Sequence, residues 1–172
     1  MVQITLQELI EIAQEAQGQI DKIYLHWSAC HYGSFFSDYH INIDADGSIH
    51  ISTNDMTEKL AHTWRRNTGA IGIAMACCYN ATSNDLGEEA PTAEQVESMA
   101  KVIAVLSYAL QLEITPGNIM THAEAADLDG YGPATTCERW DLAILQNGDE
   151  WMSGGNVLRG KAIWYQQNGI SD

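Results

Sequence analysis

Two histidines in this sequence each follow a short segment that is typical of a buried strand. His26 follows residues 23–25, and His122 follows residues 119–121. An imidazole at the end of a strand is rigidly held and faces a cleft, which suits a metal ligand or a proton carrier. A single histidine in such a position is more often structural, so the chemical interpretation depends on its partners.

A carboxylate from the stretch after His122 would complete a metal site, and Asp141 is the candidate. Two imidazoles and one carboxylate form a three-ligand zinc site with one open position. Such a site lowers the pKa of a bound water to about 7 and generates hydroxide at neutral pH. The spacing alone is not specific, because no two of these ligands share a helix as they do in an HExxH motif.

Local signals predict the first elements that position these side chains. Thr5 and Glu8 form a capping box that starts a surface helix, and Thr92 caps a long helix with a buried stripe over residues 96–110. Alternating apolar residues around Asp46-Gly47 predict a β-hairpin.

The remaining elements are predicted from apolar runs and turn residues. Residues 70–78 form a continuous apolar run that fits a strand covered on both faces. Residues 123–136 are rich in turn residues and predict a loop, and residues 138–146 predict a short helix. Residues 147–172 predict a linker containing Gly154-Gly155 and a short amphipathic tail. The whole pattern predicts a single domain of the α/β or α+β class.

Composition excludes several classes of function. With 172 residues the chain can bury a core without disulfides. A formal net charge of −15 argues against a nucleic-acid partner and against adsorption to anionic membranes. No apolar run approaches the roughly 20 residues that span a bilayer, which predicts no membrane insertion.

The cysteines and the N-terminus suggest where the protein is made. The four cysteines lack CxxC and zinc-finger spacing, and free thiols are expected. Residues 1–5 lack a basic region followed by an apolar block, so we expect synthesis in the cytoplasm without a secretory signal.

Five motifs, in order, carry a resemblance to a known family. They are LHWSAC, YHINIDADGSIH, AHTWRRNTGAIGIA, THAEAADLDGYGP and CERWD. This set resembles the zinc-dependent N-acetylmuramoyl-L-alanine amidases of the type-2 family, which includes phage amidase-type lysozymes and peptidoglycan recognition proteins. The resemblance implies an α/β fold with a mixed central β-sheet flanked by helices. It also implies a catalytic domain over residues 1–146, with its motifs in residues 23–145.

The resemblance implies a ligand set and two catalytic residues. The family's zinc ligands match His26, His122 and Asp141, for one Zn²⁺ ion. Its catalytic tyrosine matches Tyr39, and Arg139 stands where bacterial and phage enzymes commonly carry lysine. Arginine keeps the positive charge and can stabilise an oxyanion, but it does not donate a proton.

The resemblance also implies residues that contact the substrate. The family's motif of histidine, four residues and asparagine, which lines the substrate groove, matches His62 and Asn67. Trp64 is a candidate for stacking on a sugar ring, with core packing as the alternative. Trp27 and Trp140 adjoin two ligands and are expected to wall the site.

One family feature is missing from this chain. Some relatives carry a catalytic glutamate after the strand that matches residues 71–73, whereas Ala74 follows here. Glu124 is a candidate substitute as a proton shuttle, and its structural alternative is to cap the segment after His122.

The implied reaction is hydrolysis of peptidoglycan at the amide bond between N-acetylmuramic acid and L-alanine. Water activated by zinc attacks the lactyl carbonyl, and Tyr39 and Arg139 stabilise the oxyanion. The leaving amine takes a proton from Glu124 or from bulk water.

Three alternatives stay open. The first is a non-catalytic peptidoglycan recognition module, which the missing acid favours and Asp141 disfavours. The second is a zinc deaminase, because His122-Ala123-Glu124 matches HxE, but residues 133–137 lack the required PCxxC. The third is a purely structural interaction domain, which leaves the motifs unexplained.

The biological setting follows from the expected lack of a signal. An endolysin of a phage or prophage, acting on the cell wall after release, is the favoured interpretation. An intracellular wall-recycling amidase or a delivered toxin are the other two.

Overall fold

Six short strands form one mixed sheet in the computed structural model of the chain, which describes residues 1–82, 85–132 and 140–170. The strands are β1 (Val2–Ile4), β2 (Lys22–Trp27), β3 (Ile41–Ile43), β4 (Ile49–Ile51), β5 (Ala70–Met75) and β6 (Ile119–Thr121). Their order across the sheet is β1-β4-β3-β5-β2-β6. The first three strands in this order pair antiparallel, while β3, β5, β2 and β6 run parallel. The mixed sheet of the α/β class is therefore confirmed.

Four helices surround the sheet: α1 (Leu6–Glu15), α2 (Ala93–Leu110), α3 (His122–Leu128) and α4 (Gly154–Asn168). Helix α2 packs against both α1 and α4, whereas α3 contacts β2 and β6. The capping boxes predicted at Thr5 and Thr92 are present, and so is the hairpin of β3 and β4. None of the helices that the structure describes is both long and apolar enough to cross a membrane.

The two central strands are buried because both faces of the sheet are covered. Along β2, Ile23, Leu25 and Trp27 belong to the large core cluster that also contains residues of α1, α2 and α4. Tyr24 belongs to a second, smaller cluster with Ala125 of α3. Since side chains alternate along a strand, His26 points to the same face as Tyr24, towards α3.

Residues 123–136, expected to form a loop, are a helix in their first part. Helix α3 covers His122–Leu128, and residues 133–139 lie outside the described part of the chain. The cause is a third capping box: the Thr121 side chain accepts from Glu124 N, and Glu124 accepts from Thr121 N. An alanine-rich segment follows this start signal and favours a helix.

The prediction of a short helix over residues 138–146 is wrong for residues 140–146, the part of this range that the structure describes. Residues 140–146 form turns. Leu142 has φ 61°, in the left-handed region that a right-handed helix cannot contain. The Asp149 carboxylate then accepts hydrogen bonds from Leu145 N and Gln146 N at 3.1 and 2.9 Å, which fixes the turn.

The linker expected at Gly154-Gly155 is also wrong, because both glycines are buried residues at the start of α4. Leu158 and Ala162 on the same helix are completely buried in the main core. A glycine pair can therefore mark a close approach between packed elements as well as a flexible connection. The domain boundary at residue 146 stays a prediction, although α4 packs directly on the residues before it.

Candidate metal centre

The register of two parallel strands brings His26 and His122 together. Leu25 of β2 pairs with Thr121 of β6. The residue that follows each of these two is a histidine, so the two imidazoles lie side by side at the same end of the sheet. His26 is completely buried, and His122 is 7% exposed.

Asp141 reaches the same point from the turn after residue 139. Its backbone carbonyl accepts a hydrogen bond from Ala123 N in the first turn of α3, at 3.4 Å. The carboxylate is buried and lies against both imidazoles. The three predicted ligands, separated by 96 and 115 positions from His26, therefore meet at one point.

The distances between the ligand atoms are short and nearly equal. His26 Nδ1 lies 3.1 Å from His122 Nδ1 and 3.0 Å from Asp141 Oδ2. His122 Nδ1 lies 3.3 Å from Asp141 Oδ1. In a tetrahedral zinc site with bonds of about 2.0–2.1 Å, neighbouring ligand atoms are about 3.3 Å apart.

This donor set fits a zinc ion. Two imidazole nitrogens and a carboxylate oxygen are the ligands that zinc accepts in catalytic sites. A single proton can join only one pair of these three acceptors, whereas one divalent cation can join all of them. His26 Nδ1 faces Asp141 Oδ2 and His122 Nδ1 faces Asp141 Oδ1, so a zinc ion held by one atom of each residue would keep a fourth position for a water or a substrate.

Burial and charge favour the metal-binding forms of His26 and Asp141. Desolvation lowers the pKa of His26 to about 4, although the hydrogen bond that Asp141 accepts from the ring opposes that shift. Burial alone would raise the pKa of Asp141, but His122 and His26 outweigh it and hold that pKa well below its usual range. At neutral pH the site therefore has a neutral His26 and an ionised Asp141.

Thr63 fixes the second nitrogen of His26. Its hydroxyl lies 3.2 Å from His26 Nε2 and 2.9 Å from His62 Nδ1. If His26 Nδ1 binds a metal, Nε2 carries the hydrogen and donates to Thr63, which in turn donates to His62. Asn67 Oδ1 accepts from Thr63 N at 2.7 Å and holds the threonine in place.

His62 and Asn67, predicted to line the substrate groove, thus lie directly behind the metal ligands. His62 is buried, and desolvation followed by the neighbouring His26 and His40 lowers its pKa to about 2. A neutral His62 can accept the hydrogen bond from Thr63. The contacts of both residues within the described structure support His26, and their contact with substrate stays a prediction.

An open cleft of about 310 Å³ lies over the ligands. It is lined by Trp27, Ser28, Ala29, Tyr39, Ala81, His122, Trp140 and Asp141. The rings of Trp27 and Trp140 meet edge to face at 4.7 Å, and both form part of the wall as expected. The ring of Tyr39 lies 5.0 Å from that of His26, which places the tyrosine beside the metal centre.

Trp64 lies on the surface and not in the core, since 57% of it is exposed. Its ring meets Tyr131 edge to face at 5.2 Å, and the Arg65 guanidinium lies 5.1 Å above it. The core-packing alternative for Trp64 is therefore wrong, and stacking on a sugar stays a prediction. Arg139 falls outside the described residues, so its predicted role has no structural test.

The contacts of Glu124 are those of a residue that caps a helix, which is the structural alternative to a proton shuttle. Its carboxylate accepts from Thr121 N at 2.9 Å and from both terminal nitrogens of Arg159 at 2.8 Å. These contacts use the carboxylate to cap α3 and to pair with α4. Its use as a proton shuttle stays a prediction that these contacts do not favour.

The acid that some relatives carry after the central strand has no replacement on β5. Ala74 pairs in register with His26 and is completely buried. Neither Ala74 nor Met75 can transfer a proton.

Two residues of this region had not been predicted. Thr63 stands beside His62 in a predicted motif, and a hydroxyl next to a groove histidine was the only available signal. Arg159 lies 35 positions beyond its partner Glu124, in the predicted tail, and no local pattern indicates it.

Three solved structures are similar to parts of the chain. The chain resembles the endolysin N-acetylmuramoyl-L-alanine amidase LysCS from Clostridium intestinale URNW at 19% identity, over 60% of this chain and 69% of that one, with a TM-score of 0.45. It resembles Drosophila PGRP-LB at 17% identity over 67% and 76% of the two chains, with a TM-score of 0.48. PGRP-Hd from Alvinella pompejana shares 18% identity over 67% and 86%, with a TM-score of 0.40.

No curated protein matches the chain significantly. The sequence profile of the family Amidase_2, described as N-acetylmuramoyl-L-alanine amidase, matches residues 13–140. This match covers well over half of the 172 residues and ends one position before Asp141. The chain therefore belongs to the N-acetylmuramoyl-L-alanine amidase family, Amidase_2.

Proposed function

We propose that this protein is a zinc-dependent peptidoglycan hydrolase that cleaves the amide bond between N-acetylmuramic acid and L-alanine. The family supports an amidase or a recognition protein for peptidoglycan. The observation that carries the proposal is the buried cluster of His26, His122 and Asp141, whose imidazole nitrogens and carboxylate oxygens lie close enough for one ion to join them.

The chemistry of the site divides between the ion and the chain. Bound zinc lowers the pKa of a water to about 7 and polarises a carbonyl. His26, His122 and Asp141 would hold the ion, and Thr63 would fix the tautomer of His26. Trp27 and Trp140 form an apolar part of the cleft wall.

The acyl group of the substrate would sit against Tyr39. The tyrosine lies over His26 at the cleft, and we assign its hydroxyl to the tetrahedral oxyanion. Arg139, two residues before Asp141 in sequence, is the proposed second donor to that oxyanion. The amine of L-alanine leaves towards the open mouth of the cleft, where bulk water supplies its proton.

A metal and turnover assay tests the proposal. We expect about one zinc per chain and release of stem peptide from purified peptidoglycan, and both should disappear in His122→Ala. A chelator should abolish activity and added zinc should restore it. His50→Ala is the matched control, because His50 contacts Ser48 and Phe35 away from the cleft. Turnover by the chelated protein or by His122→Ala would overturn the zinc mechanism.

A non-catalytic recognition protein is the second candidate, and the buried Ala74 opposite His26 favours it. The same assay separates the two. Retention of peptidoglycan by the protein in a pull-down, with bound zinc but without released stem peptide, would identify the recognition function.

We further propose that the substrate is intact cell wall, as for an endolysin. The exposed Trp64, next in sequence to Thr63, supports this, because a sugar of a long glycan strand can stack on it. Digestion of intact sacculi should exceed digestion of soluble anhydromuropeptides. A preference for the soluble fragments would identify a wall-recycling enzyme instead.

A further inference from the structure

Arg159 of α4 is a buried cation with a precise set of partners. It is 4% exposed, and its two terminal nitrogens each lie 2.8 Å from an oxygen of Glu124. One of these nitrogens also donates to Ile119 O, the first residue of β6, at 2.9 Å. Arg159 therefore joins α4 to both elements that meet at His122.

Glu124 connects Arg159 to the segment that carries His122. It lies two residues after His122, and its carboxylate also caps the first turn of α3 at Thr121 N. A bidentate pair fixes the carboxylate in two directions. Since His122 is the first residue of that turn, the position of Glu124 sets the position of the imidazole.

Gly155 makes the contact between α4 and Glu124 unusually close. A Cβ at this position would lie 2.4 Å from Glu124 Oε1 and 2.6 Å from Oε2. A real Cβ essentially never lies this close to another heavy atom, so any other residue at this position would displace the Glu124 carboxylate.

The neighbouring glycine touches the third ligand's segment. A Cβ on Gly154 would lie 2.1 Å from Leu142 O, and Gly154 N donates to Ala143 O at 3.1 Å. Leu142 and Ala143 directly follow Asp141. The start of α4 therefore packs against the segments that carry two of the three ligands.

We propose that Arg159, acting through Glu124 with Gly154 and Gly155, is a positioning residue that sets the geometry and the affinity of the zinc site. This inference rests on the proposed zinc centre. Helix α4 lies outside residues 13–140, the part of the chain that matches the family profile. The C-terminal helix is thereby part of the metal-binding apparatus, although it supplies no ligand.

Zinc affinity and the visible spectrum of the cobalt-substituted protein test the proposal in the full chain. Arg159→Met should weaken zinc binding about 10- to 100-fold, the usual effect of removing a group that orients a ligand. It should also change the cobalt absorption bands, which report coordination geometry. Gly155→Ala leaves Arg159 in place but displaces Glu124, so it should also weaken zinc binding and change the cobalt absorption bands.

Two control variants on the same helix separate positioning from loss of helix packing. Lys161→Met removes an ion pair that joins α4 to Glu97 of α2. Gly160→Ala adds a methyl group where nothing lies within 4 Å. Both should keep the zinc affinity and the cobalt spectrum of the wild type. Arg159→Lys keeps the positive charge but loses the two-pronged hydrogen bonding of the guanidinium. Its zinc affinity should lie between those of the wild type and Arg159→Met.

The outcomes distinguish this proposal from the proposed function. Wild-type protein that binds zinc, together with an Arg159→Met variant of equal affinity and spectrum, would overturn the positioning role alone. Wild-type protein that binds no zinc would overturn the metal centre itself. If Arg159→Met does not fold, Arg159→Lys and Gly155→Ala decide by the same two measurements.

Discussion

At the scale of residues, the proposed metal site depends on a hydroxyl that is not one of its ligands. Thr63 lies between His26 Nε2 and His62 Nδ1 and can donate to only one of them. If Nε2 of His26 carries its hydrogen, the hydroxyl accepts from His26 and donates to His62. This order presents the lone pair of Nδ1 to the cluster.

Replacement of Thr63 by valine tests this role, because valine keeps the shape and removes the hydroxyl. We expect Thr63→Val to weaken zinc binding about 10-fold or more, since His26 then loses the acceptor that selects its tautomer. Competition with a chromophoric chelator measures the affinity. Thr68→Val, at an exposed threonine, is the control and should bind zinc as the wild type does. Equal affinities for both variants would contradict the role of Thr63.

The sequence allows the three ligands to be predicted but not the residues behind them. His26 and His122 each end a strand-like segment, and the resemblance adds Asp141. Thr63 contacts His26 across 37 positions, and Arg159 contacts Glu124 across 35. Neither contact leaves a periodic or local pattern, because it exists only once the sheet and α4 have packed.

At the scale of elements, β5 lies close to the segment that carries His62 and Thr63. A Cβ on Gly72 would lie 2.4 Å from His62 Cγ and 2.9 Å from its Cβ. The glycine therefore lets the buried imidazole of His62 pack directly on the strand. The N–H of Gly72 also donates a hydrogen bond to His40 Nδ1 at 3.1 Å.

Substitution of Gly72 by alanine should push His62 off the strand. We expect a loss of about 1–3 kcal/mol in the free energy of unfolding, as for other overpacked cores. Gly160→Ala, in the exposed face of α4, should instead stabilise the protein by up to about 1 kcal/mol, because alanine favours the helix. Urea unfolding measures both. A Gly72→Ala variant as stable as the wild type would show that the strand and His62 can separate without cost.

Elements with local signals were predictable, and elements defined by partners were not. The caps at Thr5 and Thr92 and the turn at Asp46-Gly47 follow from neighbouring residues, and all three are present. Helix α3 has an equally local signal at Thr121 and Glu124, which the turn residues after it obscure. The glycines at the start of α4 resemble a linker in sequence, because the reason for them lies on α3 and in the turn after Asp141.

At the scale of the whole molecule, buried neutral imidazoles make stability depend on pH. Burial lowers the pKa of His40, and its hydrogen bonds leave it neutral: Gly72 N–H donates to Nδ1, so Nε2 donates to Glu58 O at 2.8 Å. The pKa of His26 falls to about 4 and that of His62 to about 2. In the unfolded chain these groups titrate near pH 6.5.

We expect the metal-free protein to lose stability as the pH falls below about 6.5. Below that value the unfolded chain binds protons that the folded chain does not, so the equilibrium shifts towards unfolding. Each such histidine contributes up to about 1.4 kcal/mol per pH unit. For His26 the loss continues down to about pH 4.

Urea midpoints between pH 8 and pH 5, measured with a chelator present, check this expectation. The midpoint should be nearly constant above about pH 7.5 and should fall below about pH 6.5. His40→Gln removes one of the three titrating groups and should flatten the fall. A midpoint that does not change down to pH 5 would contradict the buried neutral state of these side chains.

The shared register of β2 and β6 also determines when in folding a metal could act. The loops that a bound cation would close span 96 and 115 residues, and they close only after the parallel strands have paired. Long-range parallel pairing is slow, so the ligands assemble late. An ion that binds only after the rate-limiting step leaves the folding rate unchanged and slows unfolding. Bound zinc would therefore lower the unfolding rate of this chain and lengthen the lifetime of the native state.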